Sequence, residues 1–493
     1  MPIDAASIDW MTKSRRPQRE WDKKRGERQA VSSIDVGWRL DRLSVSRFHW
    51  RVLALIAAGM FFDSFDLYLA GGVLGALVQS GESTLQLNAM FISATFLGMM
   101  IGAWFAGVLG DRFGRKFTYQ FNLMIFGIAS LAGAVAPSMA WLIAARFVMG
   151  LGLGAEIVVG YGTLSEFIPA RHRGRFASLL NLIINASLFL STLIGWVVIP
   201  QFGWRWMFVI VAVGAFVVWF LRRALPESPR WLASQGRVAE AEVIVRQAEA
   251  ESSVFDEGAR PTKSTGVETR YSLRDLFGPA LLRRSIVAIV VTVCLLTFNY
   301  AFVSWVPTFL VKQGHGVANS LGLSVLIFAG GPLGSIIGLL LSERIGRRWG
   351  LIWFSVLGIA VSAAYVSVTD SALIVGLGFF VTCIIYVLSS LSIACYVPEL
   401  FPTEVRLRGS GVANAAGRAV NILVPYAVAA SFEGFGLYGV FGLIAAALVL
   451  QIVVLLTIGI ETKQRSLEDL ATDSGGAAGV TAFPVGAQPR TDA

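Results

Sequence analysis

Apolar runs long enough to cross a bilayer recur along most of this chain, and nothing else in it restricts the fold so severely. A helix crossing a hydrocarbon core of about 30 Å needs roughly 20 apolar residues. Twelve runs approach or exceed that length, at 52–78, 88–109, 117–136, 141–164, 176–199, 206–221, 285–311, 321–341, 350–368, 372–397, 411–432 and 437–459. Lipid offers no partner to backbone N–H and C=O groups, so each run must satisfy its own by coiling into a helix. Composition agrees, because only 15% of the 493 residues are charged, against roughly 25% in soluble proteins. The expected fold is an all-α integral membrane protein with twelve transmembrane helices.

Polar stretches divide the chain. Residues 1–50 form a basic segment carrying Lys23-Lys24-Arg25, without the apolar stretch of a cleavable signal peptide. Residues 222–284 are charged, with a helix-like pattern at 237–251, and they separate six spans in 51–221 from six in 285–460. Residues 461–493 make a tail whose last part, 473–493, is rich in Gly, Ala and Pro and reads as disordered.

The net charge of +9 would suggest nucleic acid in a soluble protein. With the N-terminus in the cytosol, 37 of the 41 lysines and arginines fall on cytosolic segments, Arg205 and Lys312 on outer loops, and Arg146 and Arg418 inside spans. Positive residues accumulate on cytosolic loops, so both termini are expected inside a multi-pass cell-membrane protein, with no nucleic-acid partner. Cys294, Cys383 and Cys395 sit in apolar runs without a CxxC pair, and His49, His172 and His315 are scattered. Neither a disulfide framework nor a metal site is expected. No nucleotide loop and no nucleophile with a base at recognised spacing occurs, so an enzyme is not expected.

The chain also repeats itself. Asp111-Arg112-Phe113-Gly114-Arg115-Lys116 is echoed by Glu343-Arg344-Ile345-Gly346-Arg347-Arg348 at an offset of 232. Glu166-Phe167-Ile168-Pro169 with Arg173 is echoed by Glu399-Leu400-Phe401-Pro402 with Arg406 at 233, and Pro226-Glu227-Ser228 by Ile460-Glu461-Thr462 at 234. Three motifs in the same order at nearly one offset imply parallel structural repeats, which in secondary transporters place the substrate between the halves near the midplane.

These motifs, with Pro229-Arg230-Trp231-Leu232 and Glu461-Thr462-Lys463, resemble the major facilitator superfamily in its sugar-porter-like branch, over roughly residues 50 to 470. Phe61 to Tyr68 (FFDSFDLY) and Gly150 to Glu156 (GLGLGAE) are similar to metabolite:proton symporters and to aromatic acid and nicotinate carriers. The resemblance implies two six-helix bundles, a small-molecule substrate, a proton gradient as driving force, no cofactor, and a monomer in the lipid bilayer. Hexose porters carry glutamines in the fifth and seventh spans; here those stretches read Asn181 to Leu190 and Thr297-Phe298-Asn299-Tyr300. An unpaired polar group in a buried site costs about 1 to 3 kcal/mol, so a hydroxyl-rich sugar fits less well than a flatter metabolite.

Ionisable groups at membrane depth are costly and mark function by default. Five qualify: Asp63, Asp66, Arg146, Glu156 and Arg418. A rise of about 1.5 Å per residue puts Asp66 and Arg146 at one level, each roughly 8 to 9 Å below the outer face. Two roles are open for this pair: proton carriage by Asp66 with Arg146 sensing its charge, as in proton-linked sugar porters, or a static tie between the first and fourth spans. Asp63, about 60° around the helix, is either a helper or structural. Counting 232 or 233 on from Asp66 reaches Phe298 or Asn299, and 233 on from Glu156 reaches Ser389. Proton chemistry is therefore expected in the first half and substrate binding in the second. Arg418, set in the small and apolar stretch Gly411 to Pro425, resembles the eleventh-span arginine that organic-anion carriers use for a carboxylate; the alternative is a snorkelling side chain. Glu156 and Arg418 lie at similar depth and are a possible inner-gate pair. Asn181, Asn185, Phe298, Asn299, Tyr300, Trp305 and Tyr386 are candidate pocket walls.

In this family the acid and base groups of the short loops form a network that holds the two bundles together. By that resemblance the gating set is Asp111, Arg112, Arg115, Glu166, Arg173, Arg175, Glu227, Glu343, Arg344, Arg347, Glu399, Arg406 and Glu461, with Asp111 also suited to cap a helix N-terminus. The expected function is proton-coupled symport of a small organic anion. A sugar or polyol porter, a passive uniporter and a non-transporting nutrient sensor are the alternatives.

Overall fold

The computed structural model describes residues 36–253, 273–279, 281–342, 345–401 and 405–462. The Lys23-Lys24-Arg25 run, the tail beyond 462, Glu343 and Arg344 lie outside these residues. The first half contains helices α1 (Arg47–Gln79), α2 (Leu85–Phe113), α3 (Arg115–Ala134), α4 (Met139–Phe167), α5 (Arg173–Phe202) and α6 (Arg205–Leu221). Two short helices follow, α7 (Pro229–Ser234) and α8 (Val238–Ala250). The second half holds α9 (Leu282–Val303), α10 (Val306–Lys312), α11 (Val317–Phe328), α12 (Gly330–Ser342), α13 (Arg347–Ser367), α14 (Ser371–Ser389) and α15 (Arg406–Ile458).

The described residues contain 11 stretches long and apolar enough to cross a membrane. The last, Arg408–Ile458, has 51 residues and measures about 77 Å at 1.5 Å per residue, more than twice a hydrocarbon core of about 30 Å. At Gly436 its backbone turns to φ +61° and ψ −148°. That break falls between the apolar runs 411–432 and 437–459. Helix starts follow local chemistry: Thr84 accepts from the Leu87 amide at 3.2 Å, Ser138 from Trp141 at 3.3 Å and Asp370 from Ala372 at 3.0 Å. Such caps contribute about 1 kcal/mol each.

Glycines set how closely the helices approach. A methyl group on Gly98 would overlap the Phe147 carbonyl oxygen, and one on Gly102 that of Leu151; Gly150 and Gly154 are pressed in return against Thr95 and Met99 oxygens. Small residues four apart let helix backbones meet where lipid removes the hydrophobic drive between them. The second half repeats half of this device. Gly330 and Gly334, each 232 residues on from Gly98 and Gly102, are pressed against the Phe379 and Cys383 oxygens, which stand 232 on from Phe147 and Leu151. Thr382 and Tyr386 occupy the registers of Gly150 and Gly154.

The halves meet where α1 packs on α10, α2 on α15, and α5 on α11 and α12. Many of these contacts lie toward the end opposite the repeated loop motifs. There the Val317 amide donates to Gln79 Oε1 at 2.7 Å, and Gln86 Nε2 to Glu433 at 2.5 Å. A methyl on Gly71 would sit 3.2 Å from the Ser304 carbonyl oxygen and 3.3 Å from the Pro307 side chain, so α1 touches the start of α10 closely.

Candidate functional site

Asp66 and Arg146 form an ion pair between α1 and α4, both fully enclosed at 0% exposure. Arg146 also donates to Thr95 Oγ1 at 3.0 Å and to the Asp66 carbonyl oxygen at 2.8 Å, and lies 5.0 Å over the Phe91 ring. Asp66 Oδ1 accepts nothing. The carboxylate is thus neutralised by one cation that is itself fixed by three neighbours. Release of that cation would leave a buried charge that only a proton can cancel.

Glu156 does not pair with Arg418. It forms an ion pair with Arg222, the residue just past α6, which donates to the Leu55 and Ile56 carbonyl oxygens at 2.8 Å each and lies 4.5 Å over the Tyr119 ring. The absence of a side chain at Gly59 makes the space, since a methyl there would overlap Arg222 Nη2. Asp63, one turn beyond Gly59, is buried and feels the charges of Glu156, Arg222 and Asp66. The sequence counts Arg222 among the cytosolic charges of the central segment; the structure turns it inward, at 0% exposure. Its signal is a pair of arginines at the end of an apolar run, of which one must face the protein.

Between the halves, Tyr386 donates to the Tyr68 hydroxyl at 3.0 Å, and Asn299 lies near the same hydroxyl. Tyr300 meets Phe96 edge-on at 4.7 Å and feels the charge of Arg418. Arg418 is half-buried, and its enclosed Nη1 has no partner. Asn421, three residues along the same helix, is buried with both amide atoms unpaired. It is a site residue that sequence reasoning misses, although an Asn in an apolar helix is the signal. Asn185 bonds Ser335 at 3.2 Å across the halves, and Asn181 is half-buried. Two candidate walls belong elsewhere. Trp305 is buried and stacks on Phe309, which stacks on Phe432; Phe298 is enclosed in the core against Gly358.

The loop motifs build two copies of one device. Arg115 donates to Glu166 at 3.0 Å, and Arg347 to Glu399 at 3.2 Å. Glu227 accepts from the Arg115 and Lys116 amides at 2.9 and 3.2 Å, and Glu461 from those of Arg347 and Arg348 at 2.8 and 3.2 Å. A carboxylate there offsets the unpaired amides and the positive dipole end of α3 and α13. Gly114, at φ +96°, and Gly346, at φ +23°, leave room for it. Helix capping thus falls to Glu227 and Glu461; the side chain of Asp111 lies outside the described residues, as does that of Arg406. These pairs each join residues of one half, unlike the expected clamp between halves. Arg173 and Arg230 both reach Asp41, at 2.8 and 2.9 Å, while Arg112 and Arg175 are exposed. Arg39 donates to Glu249 at 2.7 and 2.8 Å and to Glu242 at 2.5 Å, which clasps the segment before α1 to α8.

The family model "Sugar (and other) transporter" matches residues 53–473. An inner membrane metabolite transport protein of Escherichia coli, YdjE, is 38% identical over 448 residues, which cover 88% of this chain and 98% of the relative. The niacin transporter NiaP of Acinetobacter baylyi is 32% identical over 89% of this chain and all of its own. A crystal structure of a D-xylose–proton symporter shares the fold at a TM-score of 0.66 and 16% identity, covering 85% of this chain and 99% of that one. The nearly all-helical architecture, the membrane-length helices and these matches together show that the chain is a multi-pass membrane protein belonging to the sugar-transporter family of the major facilitator superfamily.

Proposed function

We propose that this protein is a proton-coupled symporter of a small organic anion, working as a monomer with twelve crossings and both termini in the cytosol. The observation that carries the coupling is the fully enclosed Asp66–Arg146 pair. Protonation of Asp66 removes the charge that holds Arg146, so α1 and α4 are tied in one protonation state and loosened in the other. A proton bound from the outer side is then lost to the cytosol when the pair re-forms.

The anion reading rests on Arg418, whose unpaired Nη1 lies in an enclosed position close to Tyr300 and to the unpaired Asn421. A guanidinium fork suits a carboxylate bidentately. The flat aromatic edges of Phe96 and Tyr300 beside it favour a planar acid, and a relative named as a niacin transporter is in keeping with that. Contacts between halves at the end opposite the loop motifs, together with acid and base pairs kept within each half at the motif end, favour a resting form open to the cytosol.

Uptake into proteoliposomes under an inward proton gradient tests this. Labelled nicotinate or benzoate should accumulate, an ionophore should abolish the accumulation, and Asp66→Asn should exchange substrate without concentrating it. Arg418→Lys should raise KM for the acid. Accumulation of xylose in place of the acids, or indifference to the ionophore, overturns the reading.

A further inference from the structure

Asp63, Glu156 and Arg222 make a second buried charge cluster on the motif-end side of the Asp66–Arg146 pair. Its members are 3%, 1% and 0% exposed. Its charges do not balance: two carboxylates face one guanidinium, whereas Asp66 and Arg146 match one to one. Arg222 spends two of its nitrogens on the Leu55 and Ile56 carbonyl oxygens. Asp63 Oδ2 and both Glu156 oxygens accept no hydrogen bond of normal geometry. The neighbouring groups are Asp66 on α1, which acts on Asp63, and Tyr119 on α3, which in turn faces Thr163 and Glu166 on α4. Asp66 is matched by Arg146, the Tyr119 ring faces Arg222, and Glu166 is taken by Arg115. Among the described residues no second cation pairs with the cluster.

A buried carboxylate left without a counter-charge is among the most costly arrangements in a protein, and it takes up a proton in preference. We propose that Asp63 and Glu156 share one proton opposite Arg222, forming a proton-binding site distinct from Asp66. At any moment one carboxyl is neutral and the other ionised, because one guanidinium can compensate only one of them. Arg222 stands where α6 passes into the central segment with α7 and α8. A shift of α6 that withdraws it from α1 leaves both carboxyls uncompensated, and the site takes a second proton; its return expels one. The cluster thereby links the position of α6 to proton number, whether or not Asp66 carries the coupled proton.

Infrared spectroscopy of the reconstituted full-length protein at neutral pH reads this directly through the protonated-carboxyl C=O stretch and its shift in heavy water. Relative to wild type, Asp63→Asn and Glu156→Gln should each lose one carboxyl equivalent, because the remaining acid then pairs with Arg222 and ionises. Arg222→Gln should gain one equivalent, because both acids become neutral. Retention of the full band in either carboxyl variant overturns the shared proton, since that acid would then be either ionised throughout or not needed for its neighbour's protonation. No gain in a folded Arg222→Gln protein overturns the role of the guanidinium. If that variant does not fold, the two carboxyl variants still decide the question.

Discussion

Replacing Asp66 by Asn keeps the size of the side chain and one oxygen acceptor, and removes only the charge. Arg146 would then be a fully buried cation with neutral partners. Breaking a buried pair from one side costs about 3 to 5 kcal/mol. Here the lower end applies, because the Thr95 hydroxyl at 3.0 Å, the Asp66 carbonyl oxygen at 2.8 Å and the Phe91 ring remain in place. The expected loss is about 3 kcal/mol, or roughly two decades in the ratio of folded to unfolded protein. Arg146→Gln should cost less, because the Asp66 carboxyl it strands can take a proton and Arg146 cannot lose one. The double variant should be more stable than the sum of the singles predicts, with a coupling of about 0.5 to 3 kcal/mol. Reversible unfolding in mixed micelles by denaturing detergent measures all three. A single Asp66→Asn loss within about 0.5 kcal/mol, the range of a surface change, would refute the reasoning, as would strict additivity.

Two further expectations concern the motif end. Glu227→Ala and Glu461→Ala each strip three backbone amides of their carboxylate and should cost about 1 to 2 kcal/mol; because the sites lie in different halves, their effects on unfolding should add, and a shared effect would contradict two separate caps. The clasp around Arg39 should be pH-sensitive. Hydrogen bonds from Arg39 first, then Arg246, hold the Glu242 carboxyl below its ordinary range. Its contribution is present above the unfolded value of roughly 4.3 and is lost as pH falls through the lower folded value. Spin labels on cysteines replacing the exposed Trp50 and Val243 should give a narrow distance distribution at pH 7 that broadens below about pH 4, whereas Arg39→Ala should broaden it at every pH.

The long apolar runs and the offset of the loop motifs made the helical membrane fold and its internal duplication legible from residue order alone. Depth arithmetic along two helices also placed Asp66 and Arg146 at one level, because rise per residue is a fixed property of the backbone. What residue order could not supply was azimuth. Arg222 and Arg418 both stand near the motif end of apolar helices, and only the packing of α6 on α1 decides which of them faces Glu156. The glycine contacts were hidden for a similar reason: Gly98 and Gly102 are ordinary in a lipid-soluble helix until the Phe147 and Leu151 carbonyls are seen against them. Glu227 and Glu461 were visible as repeated letters, yet their task depends on a positive φ at Gly114 and Gly346, which brings the next helix start to the carboxylate.

Tyr386, where the first half has Gly154, has a consequence for how the two halves differ. Tyr68 and Tyr300 stand 232 residues apart and are equivalents, as are Gly154 and Tyr386. Tyr386 ties Tyr68 through its hydroxyl, but the mirror contact cannot form, because Gly154 offers Tyr300 nothing. A dimer made from two copies of either half would have both tethers or neither. The unequal halves therefore keep one aromatic hydroxyl tied to its own partner and set its equivalent, Tyr300, beside Arg418 with no such tether.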